Sequence, residues 1–196
     1  MEFEVPRHFL LPGDIAFARE KSHLSTLLGS CVAVCLYDAR LKVGGMNHFM
    51  LPSRAEGRAM LAEGKYGDYA IPRLLAMARE AGCAPQSLVA SVFGGGNVAG
   101  HLGSLTETGM FNIGARNVEF ALANLRELGI RVVRHDTGEK TARKIRMDTE
   151  TDEISVSYVS QSEENVLREK KLEQFRRRKI KVLVVDDSRL VRKILK

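Results

Sequence analysis

The chain has 196 residues, 44% of them hydrophobic and 28% charged, which suits one domain with its own core and a short appendage. Its start, MEFEVPRHFLLPGD, does not read as a signal peptide, and no apolar run approaches the roughly 20 residues that span a bilayer; three cysteines (Cys31, Cys35, Cys83) are too few and odd in number for a disulfide framework, lack the second close pair of a zinc site, and fit a reducing cytoplasm. The net charge of +6 excludes less than it suggests: residues 1–160 hold 18 Lys+Arg and 18 Asp+Glu, and residues 161–196 hold 12 and 6, so the excess is a basic tail and no nucleic-acid partner is expected.

In chain order, strand-like runs are expected at 31–37 and 42–50, joined through Asp38-Ala39-Arg40-Leu41. A helix follows over 68–82, with Ile71, Leu74, Leu75 and Ala78 at helical spacing and Gly82 as its cap. The run 87–93 is almost continuously apolar, as a strand covered on both faces would be. A second helix is expected over 112–129, opened by Asn112, stopped by Gly129, with Val118, Leu122 and Leu125 on one face. Strands at 130–134, 143–147 and 153–159 complete the set. Helices and strands do not alternate strictly, which points to α+β rather than to a doubly wound sheet. The texture then changes: a charge-dense, helix-like linker over 161–180 leads into KIKVLVVDDSRLVRKILK, which resembles the opening of a response-regulator receiver domain, with Asp186-Asp187 as its acidic pair. A working receiver needs a phospho-accepting aspartate several strands later, so this piece is not expected to take a phosphate.

Chemistry concentrates in GSCVAVCLYDARLKVGGMNHFMLP, residues 29–52. If 31–37 and 42–50 form a hairpin, the simplest registers pair residues whose numbers sum to 79, which sets Cys31 opposite His48. A bulge at Gly44-Gly45 or an odd loop would turn His48 to the other face. A thiol beside an imidazole is an activated nucleophile. The turn Gly29-Ser30 before Cys31 would expose backbone N–H groups suited to an oxyanion. A third group commonly orients the histidine, and the hydroxyls of Ser25 and Thr26 are the nearest in sequence. Cys35 and Cys83 read as small buried apolar residues. His8, His23, His101 and His135 lack such a partner; His23 and His101 are expected in polar loops. Phe93-Gly94-Gly95-Gly96-Asn97 lacks the Gly-Lys-Ser/Thr of a phosphate loop and reads as a tight turn after a buried strand.

Several stretches together resemble the chemoreceptor glutamine deamidase family CheD: Thr26-Leu27-Leu28-Gly29-Ser30-Cys31-Val32-Ala33-Val34, Gly44-Gly45-Met46-Asn47-His48-Phe49-Met50-Leu51-Pro52, Phe93-Gly94-Gly95-Gly96-Asn97, Ile113-Gly114-Ala115-Arg116-Asn117, Asp136-Thr137-Gly138 and Ala142-Arg143-Lys144-Ile145. The resemblance covers about residues 10–159 and implies an α/β sandwich of the α+β type, with mixed and antiparallel sheets and packed helices, as a deamidase domain over 1–160. It implies Cys31 as nucleophile, His48 as base and Thr26 as the hydroxyl, with Ser25 adjacent to it. The implied substrates are glutamine side chains on the cytoplasmic helices of methyl-accepting chemoreceptors, with no cofactor or metal and no insertion into the membrane. The phosphatase CheC is the family's usual partner, and some members are credited with receptor methyl-ester hydrolysis. The receiver-like piece over 181–196 resembles the start of the methylesterase CheB and reads as a truncated fragment. Two other readings stay open: another thiol acyl-transfer enzyme using the same pair, such as a peptidase or transglutaminase, and a non-catalytic module that only binds receptors or CheC.

Overall fold

The structure is a computed structural model that describes residues 4–54, 62–97 and 112–159. The linker and the receiver-like piece expected after residue 160, together with His101, lie outside the described residues. Among the described residues, nine strands form two sheets. The first has four strands in the order β1-β3-β8-β9: β1 (Arg7–Phe9), β3 (His23–Leu28), β8 (Arg143–Asp148) and β9 (Ile154–Tyr158). The second has five in the order β2-β5-β4-β6-β7: β2 (Ile15–Ala18), β5 (Val43–Asn47), β4 (Val32–Asp38), β6 (Leu88–Gly94) and β7 (Arg131–Thr137). Each sheet is mixed: β1 runs parallel to β3 and β6 parallel to β7, while the other pairings are antiparallel. Two helices, α1 (Gly67–Glu80) and α2 (Ile113–Glu127), complete an α+β fold.

The alternation of β4 organises the layers. Val32, Val34 and Leu36 point to one side, where they join Ile71, Leu74, Leu75, Ala121 and Leu125 of the helices. Ala33, Cys35 and Tyr37 point to the other, where they meet Leu24, Leu28, Ile145 and Met147 of the four-stranded sheet. All seven residues of β4 are therefore buried, and β6 beside it is nearly so. The order is sheet, sheet, helices, with one core between the sheets and one beneath the helices. Among the described residues no helix is long and apolar enough to cross a membrane.

Both helices end, and α2 also begins, where cap residues predict. Asn112 accepts the Ala115 N–H at 3.0 Å as N-cap of α2, and Gly129 follows its end at φ +70°. Gly82 takes φ +90° just beyond α1. The first three strands were not expected, and neither was the hairpin register. Asp38 pairs with Val43, Leu36 with Gly45 and Cys35 with Met46, so paired numbers sum to 81 rather than 79. The Asp38 carboxylate accepts the N–H groups of Arg40 and Leu41 at 3.0 and 3.1 Å, and Lys42 adopts φ +55°, which makes 39–42 the loop. Gly44 and Gly45 host no bulge. They allow close approach: a Cβ on Gly44 would lie 2.5 Å from Met147 Cε, and one on Gly45 2.6 Å from the Ala16 carbonyl oxygen.

Candidate active site

The shift of register leaves the face of each residue unchanged. The pairing resumes beyond β5 at Val32 and Phe49, which exchange both backbone bonds at 3.0 Å, so the residue facing His48 is Ala33. Cys31, two residues earlier, is a diagonal neighbour on the same side of the sheet; such neighbours lie roughly 7–8 Å apart, within reach of an imidazole. Cys31 is half-buried and packs against the core between the sheets, the side on which Ala33 and Met46 also lie.

Thr26 approaches from the opposite sheet. In β3, Leu24, Thr26 and Leu28 point inward and are buried, while His23, Ser25 and Leu27 point outward. Ser25 donates instead to the His8 carbonyl at 3.3 Å. Thr26 Oγ1 lies 2.8 Å from His48 Nδ1 and donates its hydroxyl proton to the Leu10 carbonyl at 2.8 Å. A hydroxyl has one proton to give, so toward His48 it accepts, and Nδ1 carries the hydrogen. The lone pair then resides on Nε2, which is buried and has no hydrogen-bond partner among the described residues. The backbone of His48 is fixed by the loop that follows Leu10: its N–H donates to the Asp14 carbonyl at 3.0 Å, and its carbonyl accepts the Gly13 N–H at 2.7 Å.

Burial dominates the electrostatics. It pushes the His48 imidazole down to about 4, against the opposing influence of the Leu10 carbonyl and the Asp14 carboxylate. At neutral pH the ring is uncharged, the form in which Nε2 can accept a proton. Burial likewise raises the Cys35 thiol strongly and the Cys83 thiol to about 11. Those two cysteines are enclosed in the cores, as the sequence implied.

The turn before Cys31 is held from behind. The Gly29 carbonyl accepts the Gly96 N–H and the Cys31 carbonyl accepts the Gly95 N–H, both at 2.8 Å. The Ser30 carbonyl accepts the side-chain amide of Asn117 on α2 at 3.0 Å. The glycine-rich stretch after β6 is thus a tight turn, and it braces the cysteine. Three successive carbonyls aimed at these donors orient the peptide planes of the turn, the requirement for N–H groups to converge on a developing oxyanion. Sequence reasoning did not assign roles to Gly95, Gly96, Asn117 or the Leu10 carbonyl. The usable signal was Asn117 itself, an amide in the otherwise apolar stripe of Gly114, Ala121 and Leu125.

The other described histidines stand apart from this centre. His23 opens β3 rather than a loop and lies 3.3 Å from the Asp148 carboxylate; His8 and His135 are exposed on β1 and β7. Among the described residues no three His, Cys, Asp or Glu side chains are gathered as a metal ion would require.

Cys31, His48 and Thr26 thus bring a thiol, an imidazole and a hydroxyl to one layer between the two sheets. Comparison with known proteins names the family. Residues 50–158 match the family model described as CheD chemotactic sensory transduction, a span that begins just past Cys31 and His48. A probable chemoreceptor glutamine deamidase CheD of Trichlorobacter lovleyi is 45% identical over 148 residues, covering 75% of this chain and 87% of the relative. Relatives with corresponding names from Shewanella oneidensis (40% over 161 residues, 78% of this chain and 75% of the relative) and Sulfurimonas denitrificans (35% over 164 residues, 83% and 99%) extend the match. The chain belongs to the CheD family.

Proposed function

We propose that this protein is a glutamine deamidase of methyl-accepting chemoreceptors, working through a thioester on Cys31. The observation that carries the reading is the Thr26–His48 contact at 2.8 Å, which leaves the Nε2 lone pair on the side of the sheet that bears Cys31. Family membership supplies the substrate class: the relatives are named for chemoreceptor glutamines.

In this reading His48 Nε2 takes the proton of the Cys31 thiol, and sulfur attacks the side-chain carboxamide carbon of a glutamine. The C–S bond forms as the carbonyl electrons move to oxygen, where N–H groups of the 29–31 turn receive the charge. Collapse breaks the C–N bond, and the proton held on His48 leaves with ammonia. Water then attacks the thioester, giving its proton to His48; the C–S bond breaks and the proton returns to sulfur. The products are glutamate and ammonia, and the enzyme is restored. Thr26 touches no reacting atom. It accepts the Nδ1–H and so keeps the basic nitrogen at Nε2. No metal or organic cofactor takes part in this scheme. Residues 1–160 carry the activity in the cytoplasm, 161–180 act as a charged linker to the receiver-like piece at 181–196, and CheC is a candidate partner.

The test is mass spectrometry of a receptor cytoplasmic fragment incubated with wild type, Cys31→Ala, His48→Ala and Thr26→Val. The expected result is a gain of about one mass unit at particular glutamines, abolished by the first two changes and slowed roughly 10–100-fold by the third. Deamidation that survives Cys31→Ala would exclude this nucleophile. Cleavage of the fragment, or incorporation of an added amine, would identify a peptidase or a transglutaminase. Binding without any chemistry would leave a receptor-binding module.

A further inference from the structure

Asn117 sits in α2 with no solvent exposure, in the stripe formed by Gly114, Ala121 and Leu125. A buried amide has to be paired, and this one is paired in one direction only. Its Nδ2 donates to the Ser30 carbonyl at 3.0 Å and to the Met50 carbonyl at 2.8 Å. Carbonyls only accept, so both amide protons are committed and the orientation of the side chain is fixed. Its Oδ1 is buried with no hydrogen-bond partner among the described residues. The side chain is therefore placed for its two donors.

The two acceptors are not neighbours in sequence. Ser30 immediately precedes the cysteine, and Met50 follows the histidine by two residues. Among the described residues, the bridge between Val32 and Phe49 is the last backbone pairing of the two segments at this end. Continuing the register, Cys31 would face Met50, so Asn117 bridges the strands where their own ladder has stopped. The carbonyls on either side of Ser30 are held by backbone N–H groups of Gly95 and Gly96, whereas at Ser30 the donor is a side chain that also reaches the strand bearing the base.

We propose that Asn117 is a positioning residue, whose amide sets the separation and angle between the turn of Cys31 and the strand of His48. This rests on the reading of Cys31 and His48 as nucleophile and base. The thiol and imidazole are carried on two segments whose last backbone pairing among the described residues is Val32 with Phe49, and proton transfer between them tolerates little play. One amide fixes both.

The experiment uses the full chain with Asn117→Ala and Asn117→Leu; leucine keeps the volume and removes both donors. Three quantities are read: kcat and KM on a receptor cytoplasmic fragment, the rate at which iodoacetamide alkylates Cys31 (located by peptide mass), and the unfolding midpoint. Per folded molecule, kcat is expected to fall roughly 10–100-fold with KM within about twofold, and alkylation to slow at least about fivefold as the base loses alignment. A role confined to stability would lower the midpoint and leave alkylation per folded molecule unchanged or faster, which would overturn the proposal. So would a rise in KM with kcat intact, or a failure of both variants to fold, since Asn117 would then be a determinant of substrate binding or of the fold. If wild type itself does not deamidate, the proposed function fails, and the alkylation rates alone decide the role of Asn117.

Discussion

His48 is a buried imidazole kept neutral, and the direction of its shift has consequences for both stability and the proposed activity. Its imidazole lies at about 4 in the folded protein against 6.5 ordinarily. Above pH 6.5 neither the folded nor the unfolded chain protonates it, and it contributes nothing to the pH dependence of stability. Between 6.5 and 4 the unfolded chain binds a proton that the folded one refuses, so stability falls as pH drops, by at most about 1.4 kcal/mol per pH unit from this group. His48→Gln should flatten that part of the profile when unfolding midpoints are compared from pH 7 to 4.5. On the activity side, His48 as the proposed base stays available well below the pH at which an exposed histidine is lost. The acid limb of kcat/KM for wild type is expected nearer pH 4–5 than 6.5; a limb at 6.5 would mean that His48 is solvated or is not the base.

The elements that carry these side chains depend on turns with little tolerance. Gly94 has φ +107°, and a Cβ there would overlap the Cys31 carbonyl oxygen. Gly94→Ala is expected to cost roughly 1–3 kcal/mol in a denaturant titration. Because the displaced atom belongs to Cys31, kcat per folded molecule should drop as well; unchanged kcat would show that the turn adapts without moving the cysteine. The same elements show how far the sequence could be read. Helix ends were legible because Asn112, Gly82 and Gly129 are chemically suited to caps. Cys31 and His48 were legible as a pair, and Thr26 as one of two hydroxyls. The hairpin register was not, because it turns on Lys42 adopting a left-handed conformation that its side chain does not advertise. The error of two in the pairing sum conserved which residues share a face, so Cys31 and His48 stay on one side of the sheet despite an incorrect ladder. β1 and β2 escaped notice as strands of three and four residues without a clean alternation. In β3 the alternation of His-Leu-Ser-Thr-Leu-Leu is broken by a polar residue at an inward position, and that residue is Thr26. The local pattern fails where the proposed site needs a hydroxyl.

At the scale of the molecule, a buried arginine joins the two sheets. Arg143 on β8 has no solvent exposure and donates to the carbonyl and carboxylate of Asp136 on β7 and to the carbonyl of Gly138. The Tyr158 hydroxyl donates to the same carboxylate at 2.7 Å. Gly138 in turn donates its N–H to the Gly94 carbonyl at 2.9 Å, so the arginine stands behind the turn that braces Cys31. Removing it leaves Asp136 short of a partner and three oxygens short of a donor. Arg143→Met is expected to cost about 3 kcal/mol by urea titration, the low end for a broken buried pair because Asp136 retains some contact with water. A loss under about 1 kcal/mol would mean that the two sheets hold together without this link.

The four-stranded sheet is drawn from both ends of the domain: β1 and β3 come from the first thirty residues, β8 and β9 from beyond residue 142. Cys31 and His48 belong to the other sheet or its margin, and can be brought near each other once β4, β5 and β6 have emerged from the ribosome. Thr26 cannot be secured in the same way, because β3 gains its long antiparallel neighbour only when β8 has been synthesised. A growing chain therefore adds the whole stretch from Gly94 to Asp148 after that point before the strand that carries Thr26 is locked in place. The order of synthesis acts as a timer for the proposed site: its three side chains come together last, when the domain around them is nearly whole.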